Sequence, residues 1–258
     1  MTIAFDAYSQ YYDLLYQDKD YAKEADYVRS LLVRFLPSVS MIMELGCGTG
    51  RHAALLAESG LNVTGVEVSE SMLQQARVRA AAVNASGASG HFGAELGDAR
   101  TFRVEERFDA VVSLFHVVSY QTSNDDVRQM FETAATHLLP GGLFLFDVWY
   151  GPAVMALRPV VRVKRMENSQ IAVLRIAEPK IDMNRNRVDV TYTVLVTDRP
   201  SGVVQQFNEE HRMRYYFALE LELIGDSIGM PIIHSEEWMT GGSPSETTWG
   251  VTFIARKT

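Results

Sequence analysis

Apolar runs and segments of helical periodicity alternate through the first half of the chain. Residues 41–45 form a short apolar run that opens into glycine-rich sequence, and 51–59 read as a helix. Residues 62–66 read as a second strand and 70–83 as a helix. A small, polar loop at 84–90 precedes a third strand at 92–95. Residues 108–115 predict a fourth strand and 125–138 a helix, and Pro140-Gly141-Gly142 is a turn into a fifth strand at 143–147. Such alternation implies a mainly parallel sheet with helices on both faces. Ahead of it, residues 8–36 read as helical and carry Tyr8, Tyr11, Tyr12, Tyr16, Tyr21 and Tyr27. Ala25, Val28, Leu31, Leu32 and Phe35 share one face there, and Pro37 ends the helix.

After Tyr150 the period changes to two. Turn signals at Glu167-Asn168, Asn184-Arg185-Asn186 and Pro200-Ser201-Gly202 divide residues 159–216 into three or four antiparallel strands. Residues 217–228 read as a helix and 247–255 as a closing strand. No flexible linker separates these parts, so the antiparallel strands are expected to be an insertion packed on the main domain. The division is a helical cap at 1–40, an α/β domain at 41–150, the insertion at 151–216, and a closing helix and strands at 217–258.

Composition narrows the partners. The 258 residues are 47% hydrophobic and 22% charged, enough for a sizeable core. A net charge of −8 argues against nucleic acid or a membrane surface, both of which select basic faces. The one compact basic stretch, Arg158 with Arg162, Lys164 and Arg165, reads as a solvated strand face. A single cysteine, Cys47, excludes an internal disulfide and a multi-thiolate zinc site, and no metal is expected. The first ten residues lack a basic and apolar leader pattern and no apolar run reaches membrane-spanning length, so a cytoplasmic protein is expected. Alternating strands outside the core make a homodimer an expectation.

The sharpest chemical signal is Glu44-Leu45-Gly46-Cys47-Gly48-Thr49-Gly50, three alternating glycines between a strand and a helix. Glycine is required where backbone turns sharply or a ligand approaches the main chain, and the helix beyond adds free N–H groups. Glu67, at the end of the second strand, places a carboxylate where it can accept both ribose hydroxyls of an adenosine. These two signals do not separate an S-adenosylmethionine (SAM) site from a NAD site, because Gly48-x-Gly50-x-x-Ala53 also satisfies the looser dinucleotide fingerprint.

The order of further motifs separates them. Glu44-x-Gly46-x-Gly48-x-Gly50, Glu67, Gly97-Asp98-Ala99, Phe108-Asp109-Ala110-Val111-Val112 and Leu139-Pro140-Gly141-Gly142 together resemble the class I SAM-dependent methyltransferases. The resemblance implies a Rossmann-like seven-stranded sheet whose seventh strand is antiparallel, and SAM as cofactor. It implies that the glycine loop approaches the methionine part, that Glu67 holds the ribose, and that Asp98 and Ala99 contact adenine. The cofactor-binding set it implies is Tyr16, Tyr21, Glu44, Gly46, Cys47, Gly48, Gly50, Glu67, Val68, Met72, Asp98, Ala99 and Leu114. Glu44 stands where the family often has Asp, which keeps the charge. The flanks are similar to nucleotide-linked amino-sugar N,N-dimethyltransferases: Tyr12-Asp13-Leu14-Leu15-Tyr16, Lys19-Asp20-Tyr21-Ala22-Lys23-Glu24-Ala25, and Val112-Ser113-Leu114-Phe115 with Tyr120. Asp147-Val148-Trp149-Tyr150 stands where those enzymes usually carry Glu-Pro-Trp-Trp.

Methyl transfer is an in-line displacement, so an enzyme must chiefly align the reactants and remove a proton. Ligands of open α/β sheets sit at the carboxyl ends of strands. His116, after the fourth strand, is the candidate base, and Asp147, ending the fifth, is a candidate for holding the amine or accepting a proton. Tyr16 is a third candidate for touching the acceptor. His211 is weaker, with Arg212 and Arg214 nearby as candidates for an acceptor phosphate, and His234 is weaker still. Trp149, Trp238 and Trp249 are candidates for stacking on a base or sugar. The expected function is N-methylation of a small molecule, a nucleotide-linked amino sugar. The alternatives are sugar or small-molecule O-methylation, a NAD-dependent oxidoreductase, which lacks an evident Tyr-x-x-x-Lys pair, and a SAM-binding protein without catalysis.

Overall fold

A computed structural model describes residues 9–258, with side chains from Tyr11 onward, so Tyr8 lies outside the described residues. The tyrosine-rich segment is two helices rather than one: α1 (Ser9–Leu15) and α2 (Tyr21–Phe35). The break falls on Gln17-Asp18-Lys19-Asp20, a polar run with no apolar face to bury. Asp20 restarts the helix, its side chain accepting the Lys23 N–H at 3.1 Å. The Leu36 N–H closes the last turn onto Leu32 O at 2.7 Å, just before Pro37.

The alternation then follows as read: β1 (Met41–Leu45), α3 (Arg51–Glu58), β2 (Asn62–Glu67), α4 (Glu70–Ala85), β3 (His91–Leu96), β4 (Phe108–Ser113), α5 (Asn124–His137) and β5 (Leu138–Tyr150). Next come α6 (Gly151–Leu157), the strands β6 (Arg162–Glu167), β7 (Ile171–Asp182), β8 (Arg187–Asp198) and β9 (Val204–Tyr216), then α7 (Ala218–Ser227), β10 (Ile232–Glu237) and β11 (Gly250–Arg256). Strands β3-β2-β1-β4-β5 run parallel in that order. β11 pairs antiparallel with β5 from Gly250↔Trp149 to Arg256↔Leu143, and β10 pairs antiparallel with β11. The result is a seven-stranded Rossmann-like sheet with one antiparallel member. Consecutive residues point to opposite faces, and both faces are buried. Ile42, Val63, Val112 and Leu145 pack with α2, α3 and α4, while Met43, Val66, Val111 and Phe144 pack with α5 and α7.

β6 to β9 form the expected antiparallel insertion, four strands long. It meets the main sheet at Trp149↔Tyr215 and Tyr150↔Tyr216, where the end of β9 pairs parallel with the end of β5. One insertion face receives α1, with Leu15 packed among Val173, Val194 and Val196. β1 has β2 on one side and β4 on the other, which makes the carboxyl ends of β1 and β4 the switch point of the sheet.

Several predicted boundaries differ. The fourth strand stops at Ser113 rather than residue 115, because Phe115 and His116 adopt φ of 64° and 63° and turn the chain across the sheet edge. Pro140-Gly141-Gly142 is no free turn: Gly141 N–H donates to Lys257 O and Lys257 N–H to Gly142 O, both at 2.9 Å, so the β5 ladder begins at Leu138. α6 and β10 are additional elements. β10 hides its strand character because it carries Glu236 inward, where Tyr27 Oη donates to it at 2.8 Å. Among the described residues, no helix is long and apolar enough to cross a membrane.

Candidate active site

At the end of β1 the chain passes through Gly46, Gly48 and Gly50 with φ of 77°, 57° and 77°. The Gly46 and Cys47 N–H groups donate to Val66 O at 2.8 and 3.0 Å, which holds the loop against β2. A Cβ at Gly50 would lie 2.9 Å from the Phe92 ring, so packing excludes any side chain there. At Gly48 the nearest atom would be Met72 Sδ at 3.9 Å. Gly48 therefore presents bare backbone to a surface with room beside it.

The buried carboxylate of Glu67 accepts the Gly48 N–H at 2.9 Å with one oxygen and the Ser69 N–H at 2.8 Å with the other. It ties the glycine loop to the start of α4, where Ser69 caps the helix. Burial raises its pKa above the usual range. Met72 is buried beside the loop, and Val68 is exposed.

Glu44 is wholly buried under the loop. Burial pushes its carboxyl up to about 8, with the Lys19 ammonium pulling down and Glu67 pushing further up. Among the described residues its Oε2 has no hydrogen-bond partner. His52 Nδ1 lies 4.0 Å from Glu44 Oε1, and its Nε2 contacts Glu24 Oε2 at 2.8 Å. Lys19, at the joint between α1 and α2, pairs with Glu24 at 2.7 Å and stands 3.6 Å from the centre of the Phe115 ring. Tyr21 packs its ring on His52, under the Arg51 guanidinium at 5.0 Å. Its hydroxyl is buried with no partner among the described residues, and burial drives its pKa upward.

Asp13 of α1 reaches the far side of the same loop. It accepts from Thr49 Oγ1 at 3.0 Å and Arg51 Nε at 3.1 Å, and pairs with Arg79 of α4. Burial would raise its pKa, but the two guanidiniums outweigh that and hold it below the usual carboxylate range.

On the other side of the switch point stands a histidine–aspartate pair. His116 Nδ1 lies 2.6 Å from Asp147 Oδ2, and the His116 backbone N–H donates to both Asp147 oxygens at 3.1 and 3.2 Å. Asp147 is buried in β5, which would raise its pKa, yet the His116 ring and N–H outweigh burial and hold it low. The ring approach is close without being an aligned hydrogen bond, since Nδ1 has no hydrogen-bond partner among the described residues; a proton carried on Nδ1 would face the carboxylate and leave Nε2 to act. Asp147 thus spends its charge on His116 rather than facing outward. Val117, next in the chain, packs where a Gly46 side chain would be, 2.6 Å from its Cβ position, so the glycine loop and the histidine turn touch.

The structure brings Tyr16 to this turn: its ring meets Phe115 edge-on at 5.1 Å, and its hydroxyl accepts from Arg175 of β7 at 3.1 Å. His211 is buried, its Nδ1 2.8 Å from Tyr120 Oη and its Nε2 3.1 Å from Glu209. Arg212 and Arg214 do not accompany it. They alternate to the opposite face of β9, where Arg212 pairs with Glu210 and Arg214 with Glu220 of α7. His234 lies on β10, paired with Glu236 at 2.7 Å and packed on Phe35. Trp238 packs on Tyr27, and Trp149 packs on Trp249, with its ring centre 6.3 Å from that of His116. Asp98 is bound by Arg100, which also reaches Asp126 at 2.6 Å. Ala99 is half-buried against the α5 side of the core, and the Leu114 side chain is buried in the α2–α4 side. Burial pushes the Cys47 thiol up, leaving it unreactive.

Asp13, Lys19 and Phe115, which the sequence offered only as parts of flanking motifs and without a role, stand around the site, as do Arg51, Arg79, Arg175 and Tyr192, which it did not single out. Arg51 directly follows the glycine loop and carried a signal. Arg175 and Tyr192 carried none, because only strand register puts them on the inner face.

A methyltransferase-domain family profile matches residues 42–142. The Streptomyces venezuelae dTDP-3-amino-3,4,6-trideoxy-α-D-glucopyranose N,N-dimethyltransferase is 30% identical over 90% of this chain and 91% of its own length. The dTDP-3-amino-3,6-dideoxy-α-D-glucopyranose N,N-dimethyltransferase of Streptomyces fradiae is 29% identical over 91% of this chain and 86% of its own. Among solved structures, Streptomyces venezuelae DesVI has a TM-score of 0.78 at 26% identity, covering 97% of this chain and 98% of that one. SAM-bound CalS10, an amino pentose methyltransferase from Micromonospora echinaspora, shares the fold with a TM-score of 0.74 at 24% identity, over 100% and 99% of the two chains.

Proposed function

The chain belongs to the SAM-dependent methyltransferases, in the family of the amino-sugar N,N-dimethyltransferases, and from that premise we propose that it methylates the amine of a nucleotide-linked amino sugar. The observation that carries the reading is the His116–Asp147 pair, 2.6 Å apart and packed through Val117 against the glycine loop. A base oriented at the methyl-donor loop is what an acceptor amine arriving as ammonium requires.

The residues around the loop fit SAM. Glu44 Oε2 and Tyr21 Oη are buried polar atoms without partners among the described residues, and burying them so is costly unless a ligand answers them. Glu44 suits the cationic end of SAM. Tyr21 Oη, with Arg51 beside its ring, suits the carboxylate. Glu67 spends one acceptor site of each oxygen on the N–H groups of Gly48 and Ser69 and keeps others for ribose hydroxyls. Gly46, Cys47 and Gly48 offer backbone to the methionine part, and Val68, Met72, Asp98 and Ala99 flank the adenine end. Leu114 takes part through its main chain. When bound, SAM supplies a methyl already activated by the sulfonium charge. The protein's own work is to take the ammonium proton on His116 Nε2, with Asp147 holding the ring at Nδ1, and to aim the freed lone pair. Tyr16 borders the same turn and positions the acceptor.

The insertion at 151–216 supplies the acceptor side, and α1 and α2 of the N-terminal cap cover SAM. β6 is the last strand of its sheet, with exposed Val163 in it and exposed Val160 and Val161 just before it, and this edge supports a homodimer. A single buried thiol suits the cytoplasm.

The test is SAM consumption with a dTDP-linked amino sugar against its hydroxyl counterpart. Turnover confined to the amine supports the reading. Equal turnover on the hydroxyl sugar favours O-methylation, which the same histidine–aspartate pair would also serve.

A further inference from the structure

Rows of paired side chains cross the inner face of the insertion, and their register sorts charge along it. Lys164 pairs with Arg175, and the next row runs through Tyr192 to Glu209. Cations thus gather at the β6–β7 end of the face. An acid and a buried imidazole, Glu209 and His211, gather on β9, the strand whose last residues, Tyr215 and Tyr216, pair with Trp149 and Tyr150 of β5.

Side-chain contacts link the cationic end to the histidine turn. Phe115, next to His116, meets the Tyr16 ring, and Tyr16 Oη accepts from Arg175. Arg175 also lies over the Tyr192 ring at 4.8 Å, and Lys164 approaches the other side of Tyr16 at 5.3 Å. Two aromatic rings, Phe115 and Tyr16, therefore stand between His116 and the Lys164–Arg175 row.

We infer that Arg175, with Lys164 beside it, is the phosphate-recognising pair for the acceptor, and that the nucleotide-linked sugar lies along this face with its diphosphate on the cations and its amine at His116. The assignment rests on the nucleotide-linked reading given above. The chemistry matches: a guanidinium presents paired donors to phosphate oxygens, while the Glu209 end favours an ammonium. Arg212 and Arg214, the cations next to His211 in sequence, are on the opposite face, so they do not compete for the role; on the inner face Lys164 is itself paired with the exposed Asp18 at 2.8 Å, which leaves Arg175 as the principal cation.

Calorimetry in the presence of S-adenosylhomocysteine, with dTDP and thymidine as probes, tests the placement. The wild type should bind dTDP at least tenfold more tightly than thymidine. Arg175→Met and Lys164→Met should weaken dTDP by about tenfold to a hundredfold, the range for losing charge-assisted hydrogen bonds, with thymidine little changed. Arg175→Lys should keep most of the preference, which a loss of Tyr16 packing alone would not produce. S-adenosylhomocysteine affinity should stay constant and report an intact fold. Wild-type dTDP affinity in both Met variants overturns the placement and leaves the nucleotide-linked acceptor standing. A wild type that binds S-adenosylhomocysteine but not dTDP overturns both.

Discussion

Glu44 carries a carboxyl into a fully buried position, where burial pushes its pKa up to about 8. In the ligand-free protein it holds a proton between the ordinary carboxylate range and about pH 8. Its folded-state pKa is raised, so its contribution to stability is lost as pH rises through that window. A cation placed beside Glu44 reverses the preference. SAM binding at pH 7 should therefore release a proton, and affinity should rise between about pH 6 and pH 8. Calorimetry in buffers of different ionisation enthalpy reads the release, and Glu44→Gln should abolish it. A wild-type binding enthalpy independent of buffer would remove Glu44 from the SAM site. His116 makes a second claim at this scale. His116→Ala should lower kcat by about a hundredfold or more while the SAM Kd stays within about twofold. Asp147→Asn should act in the same direction by releasing the Nδ1 end of the ring. Normal turnover in both variants would shift attention to Tyr16 and Tyr120.

The glycine loop works as an element, and its three glycines are not equivalent. Gly87, in the loop after α4, has φ of 78° and no atom within 4 Å of a Cβ position, while Gly48 has φ of 57° and faces the proposed SAM site. Alanine at either site pays a left-handed penalty of about 1–2 kcal/mol. Gly48→Ala should lose at least about tenfold in SAM affinity, and Gly87→Ala should lose none at similar thermal stability. Equal SAM binding by the two variants would show that the loop does not approach the ligand. The loop, Glu67 and His116 were legible in the sequence because their meaning depends on spacing along one strand and its exit. Asp13 and Arg175 were not. Asp13 reaches Thr49, Arg51 and Arg79 only because the helix breaks at residues 16–20, and Arg175 meets Tyr16 only through strand register. The same limit misplaced Arg212 and Arg214 beside His211, since neighbours in a strand point to opposite faces.

At the scale of the whole molecule, the α/β alternation and the four-stranded insertion were legible because both periods are strong. β10 was not, because its inward Glu236 masks the alternation that the Tyr27 hydroxyl makes tolerable. The exposed β6 edge bears on assembly. If it pairs two copies, Val163→Asp should convert a dimer to a monomer in sedimentation while SAM binding persists. A wild type that sediments as a monomer would refute the dimer. The central claim joins the SAM loop, the His116–Asp147 pair and the insertion into one reaction. Its most direct test is NMR of the product formed from dTDP-3-amino-3,6-dideoxyglucose and SAM carrying a carbon-13 methyl. Labelled methyl on the sugar nitrogen is the predicted result; label on a sugar oxygen, or none on nitrogen while the protein binds SAM, would contradict it.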